Sequence, residues 1–419
     1  MRFRRLTRYS ALVALAVLVL SVSAQARSVS IIGPFQNWAA ELDEAFARFT
    51  EKTGVEVEVI LATSWPDLYE KVVTMSAAGV PPDVVYGDNL RIMDLGERGL
   101  LKALDPLAEA DPLDLSRYPA LVLDGLRIRG RLYSLPTAIS IHANLYNVDL
   151  FQAMGVPPLP TDWLGPELTW DEFVEMSKKF TVVGSDGTAS RFGLAAFGYS
   201  GGFNMIGLWG VQDVDPDRTR YLGTDPAVIR ALEQTTGLWT EHQVVGGSFY
   251  NQTAAMWPVQ PVVLNELLRL RRSGDPLNWR AAILPMGTAR ASQASFHSLG
   301  ITVNALNEEN AWALVKFLAY DPEGVVLFTR AENRVPVLRE SAMDFVDRWS
   351  REFPEGDVHV YTEAVQVLWD WRIISGAGAS EILQYMTQAW NLIRTGQSSV
   401  SDAIHQIAPL VNAALQRGN

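Results

Sequence analysis

The sequence predicts an α/β protein on parallel strands, with enough chain for more than one lobe. Three observations carry this. From Val29 onward, short apolar strands alternate with amphipathic helices in the order β-α-β-α-β-α, which places the strands parallel with right-handed crossovers. The 419 residues suffice for two or three domains, or for one large two-lobed unit. At 48% hydrophobic and 20% charged, the composition is that of a packed globule, which excludes a disordered chain.

Residues 1–26 read as a signal peptide. Arg2, Arg4, Arg5 and Arg8 precede the apolar run Ala11–Leu20, and Ala24-Gln25-Ala26 supplies small residues for cleavage after Ala26. As a helix the run would rise only ~15 Å, against a hydrocarbon core of ~30 Å, so an anchor is disfavoured. No other stretch approaches a membrane span, and release into a periplasm is expected. The net charge of −12 disfavours nucleic acid and anionic membrane as partners. The chain has no cysteine, which excludes disulfides, thiolate catalysis, Fe–S clusters and Cys zinc sites.

The strand Val29–Ile32 breaks at Gly33-Pro34. A helix from Trp38 to Lys52 carries the stripe Leu42, Ala45, Phe46, Phe49 at helical spacing. Val55–Leu61 alternates as a half-buried strand, Pro66–Ala78 reads as a helix, and Val84-Val85-Tyr86 as a buried strand ending in the polar loop Gly87-Asp88-Asn89. A helix over Leu90–Gly99, a hairpin over Gly125–Pro136 and one strand over Ile139–Tyr146 follow. Thr169 and Glu172 form a capping box. From residue 225 the chain is mostly helical (Pro226–Glu241, Val262–Arg272, Glu308–Tyr320, Ser341–Phe353, Ser380–Thr395, Val400–Gln416), interrupted by strands near Ala281–Leu284 and Gly300–Asn304.

Several motifs imitate catalytic ones. Gly198-Tyr199-Ser200-Gly201-Gly202 matches the nucleophile elbow G-x-S-x-G, but no oxyanion loop precedes it. Asp213-Val214-Asp215-Pro216-Asp217 opens like a calcium loop, yet Arg218 and Thr224 stand where Gly and Glu are required. The five histidines fall at no metal-ligand spacing, and no phosphate-cradling Gly motif occurs, so neither metal nor cofactor is expected. Glycoside hydrolysis would need two carboxyls ~5–9 Å apart, and no isolated pair stands in an apolar-aromatic setting.

The chain resembles the extracellular solute-binding proteins of ABC importers, family 1, the maltose-type carbohydrate-binding group. The resemblance rests on Phe49-Thr50-Glu51-Lys52-Thr53-Gly54-Val55-Glu56-Val57, Pro82-Asp83-Val84-Val85-Tyr86, Gly130-Arg131-Leu132-Tyr133-Ser134-Leu135-Pro136 and Leu145-Tyr146-Asn147. It continues through Leu150-Phe151, Thr169-Trp170-Asp171-Glu172-Phe173, Ala254-Ala255-Met256-Trp257, Leu284-Pro285-Met286-Gly287, Gly300-Ile301-Thr302-Val303-Asn304, Ala311-Trp312 and Gly396-Gln397-Ser398-Ser399-Val400. Each is weak alone; their order and spacing are specific.

The resemblance implies a type II periplasmic-binding-protein fold, two lobes of mixed sheet and helices joined by hinge crossovers. Lobe one would hold 28–137 and 296–335, and lobe two 138–295 and 336–419. It implies a monomer that binds a sugar between the lobes without catalysis and docks on permease subunits.

Sugars offer apolar C–H faces for aromatic stacking and paired hydroxyls for Asp, Asn, Gln, Arg and His, and such groups belong on loops at strand ends. The candidates are Gln36, Asn37, Trp38, Trp65, Asp88 and Asn89 in lobe one, with Ser140 and His142 at the crossover. Tyr199, Phe203, Trp209, Trp257, Gln260, His297, Ser298, Arg334, Trp369 and Trp371 complete the set. Trp312, Trp390 and Trp170 are expected to pack internally. Two other classes remain open: a secreted glycosidase or esterase, and a same-fold binder of a glycerophosphodiester, sugar acid or polyamine. Ser140 and the strand-three loop depart from maltodextrin binders.

Overall fold

A computed structural model describes residues 28–35, 39–198, 201–274, 277–371, 376 and 378–417. The expected signal peptide, Gln36, Asn37, Trp38, Tyr199 and the serine of the G-x-S-x-G motif lie outside the described residues.

The chain opens as expected: β1 (Ser28–Gly33), helix Ala39–Thr53, β2 (Glu56–Leu61), helix Trp65–Ala77, β3 (Val84–Asp88) and helix Asn89–Glu97. Strands β1 and β2 pair in parallel, as do β1 and β3, with Ile31 opposite Val84. A short hairpin, β4 (Arg127–Ile128) and β5 (Arg131–Leu132), leads into β6 (Leu135–Ile141). Then come β7 (Ala143–Asn147), β8 (Val182–Val183), β9 (Ala189–Leu194), β10 (Ala254–Val259) and β11 (Trp279–Ala282). The last strands are β12 (Ser292–Ile301), β13 (Val335–Pro336) and β14 (Leu368–Asp370).

Two main sheets result. The first runs β13-β6-β12-β3-β1-β2, with β14 beside the start of β12; the second runs β11-β7-β10-β9-β8. Both sheets are mixed: β12 is antiparallel to β3 and β6, whereas β10 is parallel to β9 and antiparallel to β7. Helices cover both faces of the first sheet. Ile31, Val84 and Tyr86 join one core cluster with Phe46 and Phe49, while Ile32 and Val85 join another with Leu68, Val72 and Ile92. Burial on both sides explains the unbroken apolar run Val84-Val85-Tyr86 in β3, whereas the edge strand β2 alternates Glu and Val and is largely exposed.

The structure departs from the sequence reading in several elements, among them β10 and β14, which fall where the chain was expected to be mostly helical; three departures are informative. The single strand expected over Ile139–Tyr146 is two strands in different sheets, β6 and β7, separated by His142. The alternation runs through the break, so periodicity cannot see it. What fixes the joint is distant in sequence: the Ser292 hydroxyl accepts from the His142 N–H (3.1 Å) and donates to the His142 carbonyl (2.7 Å). The strand expected over Gly300–Asn304 is only the end of β12, whose first half is too polar to score as a buried strand. A helix not anticipated from periodicity spans Pro322–Glu332, although its end signals are plain. Asp321 caps the N–H groups of Glu323 and Gly324, Pro322 stands at the first position, and Asn333 closes it at φ 53°.

The capping box at Thr169 and Glu172 forms as expected. Trp312 and Trp170 are buried, and Trp390 packs edge-on to Trp239 at 5.3 Å.

Gly193 on β9 lets the helix Trp170–Phe180 approach its sheet: a Cβ there would stand 2.2 Å from the Ser177 carbonyl oxygen. Gly193→Ala is therefore expected to destabilise the protein by about 1–3 kcal/mol. Urea unfolding checks this, and unchanged stability would show that the helix can shift freely.

Candidate functional site

Strand β12 lies between β3 and β6 in the first sheet, and its side chains alternate between the two faces. Gln293, Ser295 and His297, at every second position, line a cavity of about 370 Å³. Trp65 and the start of helix Asn89–Glu97 form one wall. Gln260 at the end of β10, Trp371, and Leu383 and Thr387 on helix Ala379–Arg394 form the other. The walls thus draw on elements attached to both sheets. Wider grooves of about 710 and 510 Å³ run along the outer side of helix Ala39–Thr53 and are lined by surface ion pairs such as Arg48–Glu323.

The polar groups of the cavity are held in place from behind. Asp88 caps the helix that follows β3: its Oδ1 accepts from the Arg91 N–H (3.0 Å) and its Oδ2 from Arg91 Nη1 (2.7 Å). The Asn89 oxygen accepts from the Ser295 hydroxyl at 3.1 Å. Gln293 receives the Asn204 amide at 3.2 Å. His297 sits between the hydroxyls of Tyr86 (3.1 Å from Nδ1) and Ser140 (3.3 Å from Nε2), with its ring centroid 5.6 Å from that of Trp65. The Arg91 guanidinium lies 6.0 Å above the Trp65 ring. Arg334 donates from Nε to Ser140 Oγ (2.8 Å) and from Nη1 to the Glu332 carbonyl (3.1 Å).

Burial dominates the titration behaviour. It pushes His297 well below the usual imidazole range, helped by the charges of Arg334 and Arg91. It lowers His142 to about 4 against a bond to the Gln293 carbonyl. It raises Glu332 to about 7, although Arg334 and Thr137 pull the other way. It raises Asp213 to about 7, although the Trp371 indole N–H donates to its Oδ2 at 2.9 Å.

Of the sequence candidates, Trp65, Asp88, Asn89, Gln260, His297, Arg334 and Trp371 meet at this cavity. Ser140 is buried one layer behind it, between His297 and Arg334, and His142 is buried at the crossing between sheets. Ser298 is buried next to His297 in β12, outside the cavity lining. Phe203 is buried in the core, Trp209 packs edge-on to Trp170 at 4.8 Å, and Trp369 is buried against Gly207. Trp257 is half-buried on β10, edge-on to Tyr250 at 5.4 Å. Arg91, Gln293, Ser295, Leu383 and Thr387 line the cavity without having been singled out. Period two from His297 would have pointed to Gln293 and Ser295.

The Asp213–Asp217 segment is a turn in which Asp215 accepts from the N–H groups of Thr219 and Arg220. Among the described residues no cluster of metal-ligating side chains occurs, and no helix is long and apolar enough to cross a membrane.

Comparison with known proteins gives a family match. The model of the bacterial extracellular solute-binding proteins covers residues 33–323. A Brucella abortus (strain 2308) protein named as a binding protein is 25% identical over 363 residues, 80% of this chain and 82% of that one. A Listeria monocytogenes ABC substrate-binding protein in complex with cycloalternan superposes with a TM-score of 0.75 at 18% identity, covering 93% and 98% of the two chains. A Mycobacterium tuberculosis protein in complex with glycerophosphocholine superposes with a TM-score of 0.75 at 20% identity, again covering 93% and 98%. At these identities the two structures establish a shared fold, that of the type II periplasmic binding proteins.

The buried groups give opposed pH dependences. Asp213 and Glu332, raised to about 7, take up protons in the folded state that the unfolded chain does not bind, so their stability contribution is lost as pH rises through 7. His142 and His297 are depressed, so the unfolded chain takes up their protons first and stability is lost as pH falls through the unfolded value near ~6.5. Asp213→Asn removes one carboxyl. Relative to the parent it should lose stability as pH falls from 8 to 5, by up to about 1.4 kcal/mol per pH unit. Urea unfolding at several pH values checks this; a pH-independent difference would contradict it.

Proposed function

Because the chain belongs to the bacterial extracellular solute-binding protein family, a family of non-catalytic binding components, we propose that it captures a carbohydrate between its two sheets and hands it to the permease of an ABC importer. One observation carries the ligand class. A cavity of about 370 Å³ joins an indole, Trp65, to the neutral hydrogen-bonding side chains Asn89, Gln260, Gln293 and Ser295. That combination suits a ring with an apolar face and hydroxyls at its edge. The cycloalternan complex of the Listeria structure supports the same class.

In this reading each sheet with its helices is one lobe, and the chain crosses between lobes at His142 and again before Ser292. The lobes open and close about those crossings. Ligand shifts that balance only by its extra affinity for the closed form, so both walls must contribute. The protein acts as an exported monomer, without cofactor or metal. Among the described residues the cavity lining holds one carboxylate, Asp88, already bonded to Arg91, where glycoside hydrolysis needs two.

A thermal-shift screen of mono- and oligosaccharides, with glycerophosphocholine and polyamines as competing arms, tests the class, because a cleft ligand raises the melting temperature by mass action. Stabilisation by amines alone would overturn it. Trp65→Ala and Gln260→Ala, one on each wall, are each expected to weaken the best sugar by roughly tenfold, equivalent to about 1.4 kcal/mol, with little change in unfolding. Calorimetric titration checks this, and an effect of only one variant would mean that the other wall does not touch the solute.

A further inference from the structure

We propose that the solute carries an oxyanion, a carboxylate or a phosphate ester, beside its hydroxyls, and that Arg334 holds it; this deepens the carbohydrate reading and rests on it. Among the described residues, four titratable side chains line the cavity: Asp88, Arg91, His297 and Arg334. Asp88 and Arg91 are bonded to each other and balance. His297 is buried between two hydroxyls beside two arginines and is uncharged at neutral pH. Arg334 is left over. Its two bonds go to neutral acceptors, the Ser140 hydroxyl and the Glu332 carbonyl, and among the described residues no carboxylate lies within ion-pair distance of it. The Glu332 carboxyl belongs to the buried layer behind, where its Oε1 accepts from the Thr137 hydroxyl at 2.9 Å.

Among the described residues, the cavity lining therefore holds one cation without an ion-pair partner, the Glu332 carboxyl in the layer behind acting on it only at longer range, in a chain whose net charge is −12. A guanidinium fixed through Nε and Nη1 keeps Nη2 for a ligand, and a planar fork of donors matches carboxylate and phosphate oxygens. A neutral sugar would leave this charge facing only hydroxyls. An acidic one neutralises it inside a walled site where the pairing is weakly screened.

The test uses matched pairs on the full chain: glucuronate against glucose, galacturonate against galactose, and glucose 6-phosphate and galactose 6-phosphate against the same two sugars. Calorimetric titration should show the acidic member of a pair binding at least about tenfold more tightly. Arg334→Gln should remove that preference while changing the neutral member little, and Arg334→Lys should keep part of it. The sugar acids and the phosphate esters separate the two sources of the oxyanion. A neutral sugar that binds as tightly as its acid, or a preference that survives Arg334→Gln, would overturn the inference and leave the carbohydrate reading standing. Binding of neither members nor esters would overturn both.

Discussion

The structure turns on β12. It is the one strand that pairs with β3, β6 and β14, so it closes the first sheet between strands from distant parts of the chain. It begins at the contact between Ser292 and His142, where the two crossings between sheets touch. Its alternation then sends Gln293, Ser295 and His297 to one side, into the cavity. Sheet closure, the crossing and the cavity floor thus depend on a single register. A slip of one residue would turn the cavity residues to the opposite face.

A layer of buried polar groups supports that floor. Tyr86 and Ser140 bond to His297, Ser140 also accepts from Arg334, and Thr137 bonds to Glu332 within the layer, so His297 and Arg334 are positioned by groups outside the cavity lining. Such networks are favourable only when their members are satisfied, because an unpaired polar group costs more in a low-dielectric interior. One side of the cavity is thus an array of donors and acceptors held from behind, while the opposite wall includes Thr387, exposed on its helix.

Much of the fold was readable from local pattern. The opening β-α units show in the stripe Leu42, Ala45, Phe46, Phe49, in the alternation of β2 and in the apolar run Val84-Val85-Tyr86, which burial on both faces leaves continuous. The capping box at Thr169 and the turns at Gly33-Pro34 are written in residue chemistry. The break at His142 was not readable, because its cause, the Ser292 hydroxyl, comes from far along the chain. Strand-end logic picked out Asp88 and Asn89, and helix-start logic Trp65, all of which line the cavity, while Gln293 and Ser295 line it from inside a polar strand that gave no such signal. Aromatic richness misled in the other direction. Phe203 and Trp369 have the chemistry of sugar contacts but are buried in the core, and Trp209 is half-buried against Trp170; no local feature separates a stacking ring from a packing one.

The placement of β12 also bears on how the chain reaches its native state. Strands β3 and β6 are made early but stay unpaired on their facing edges until β12 has been synthesised, with the whole second sheet intervening. Their backbone donors and acceptors must wait for a partner, and the loop that brings it closes at an entropic penalty. A nascent chain of this topology spends a long interval with open strand edges, the state most prone to wrong pairing and to capture by chaperones.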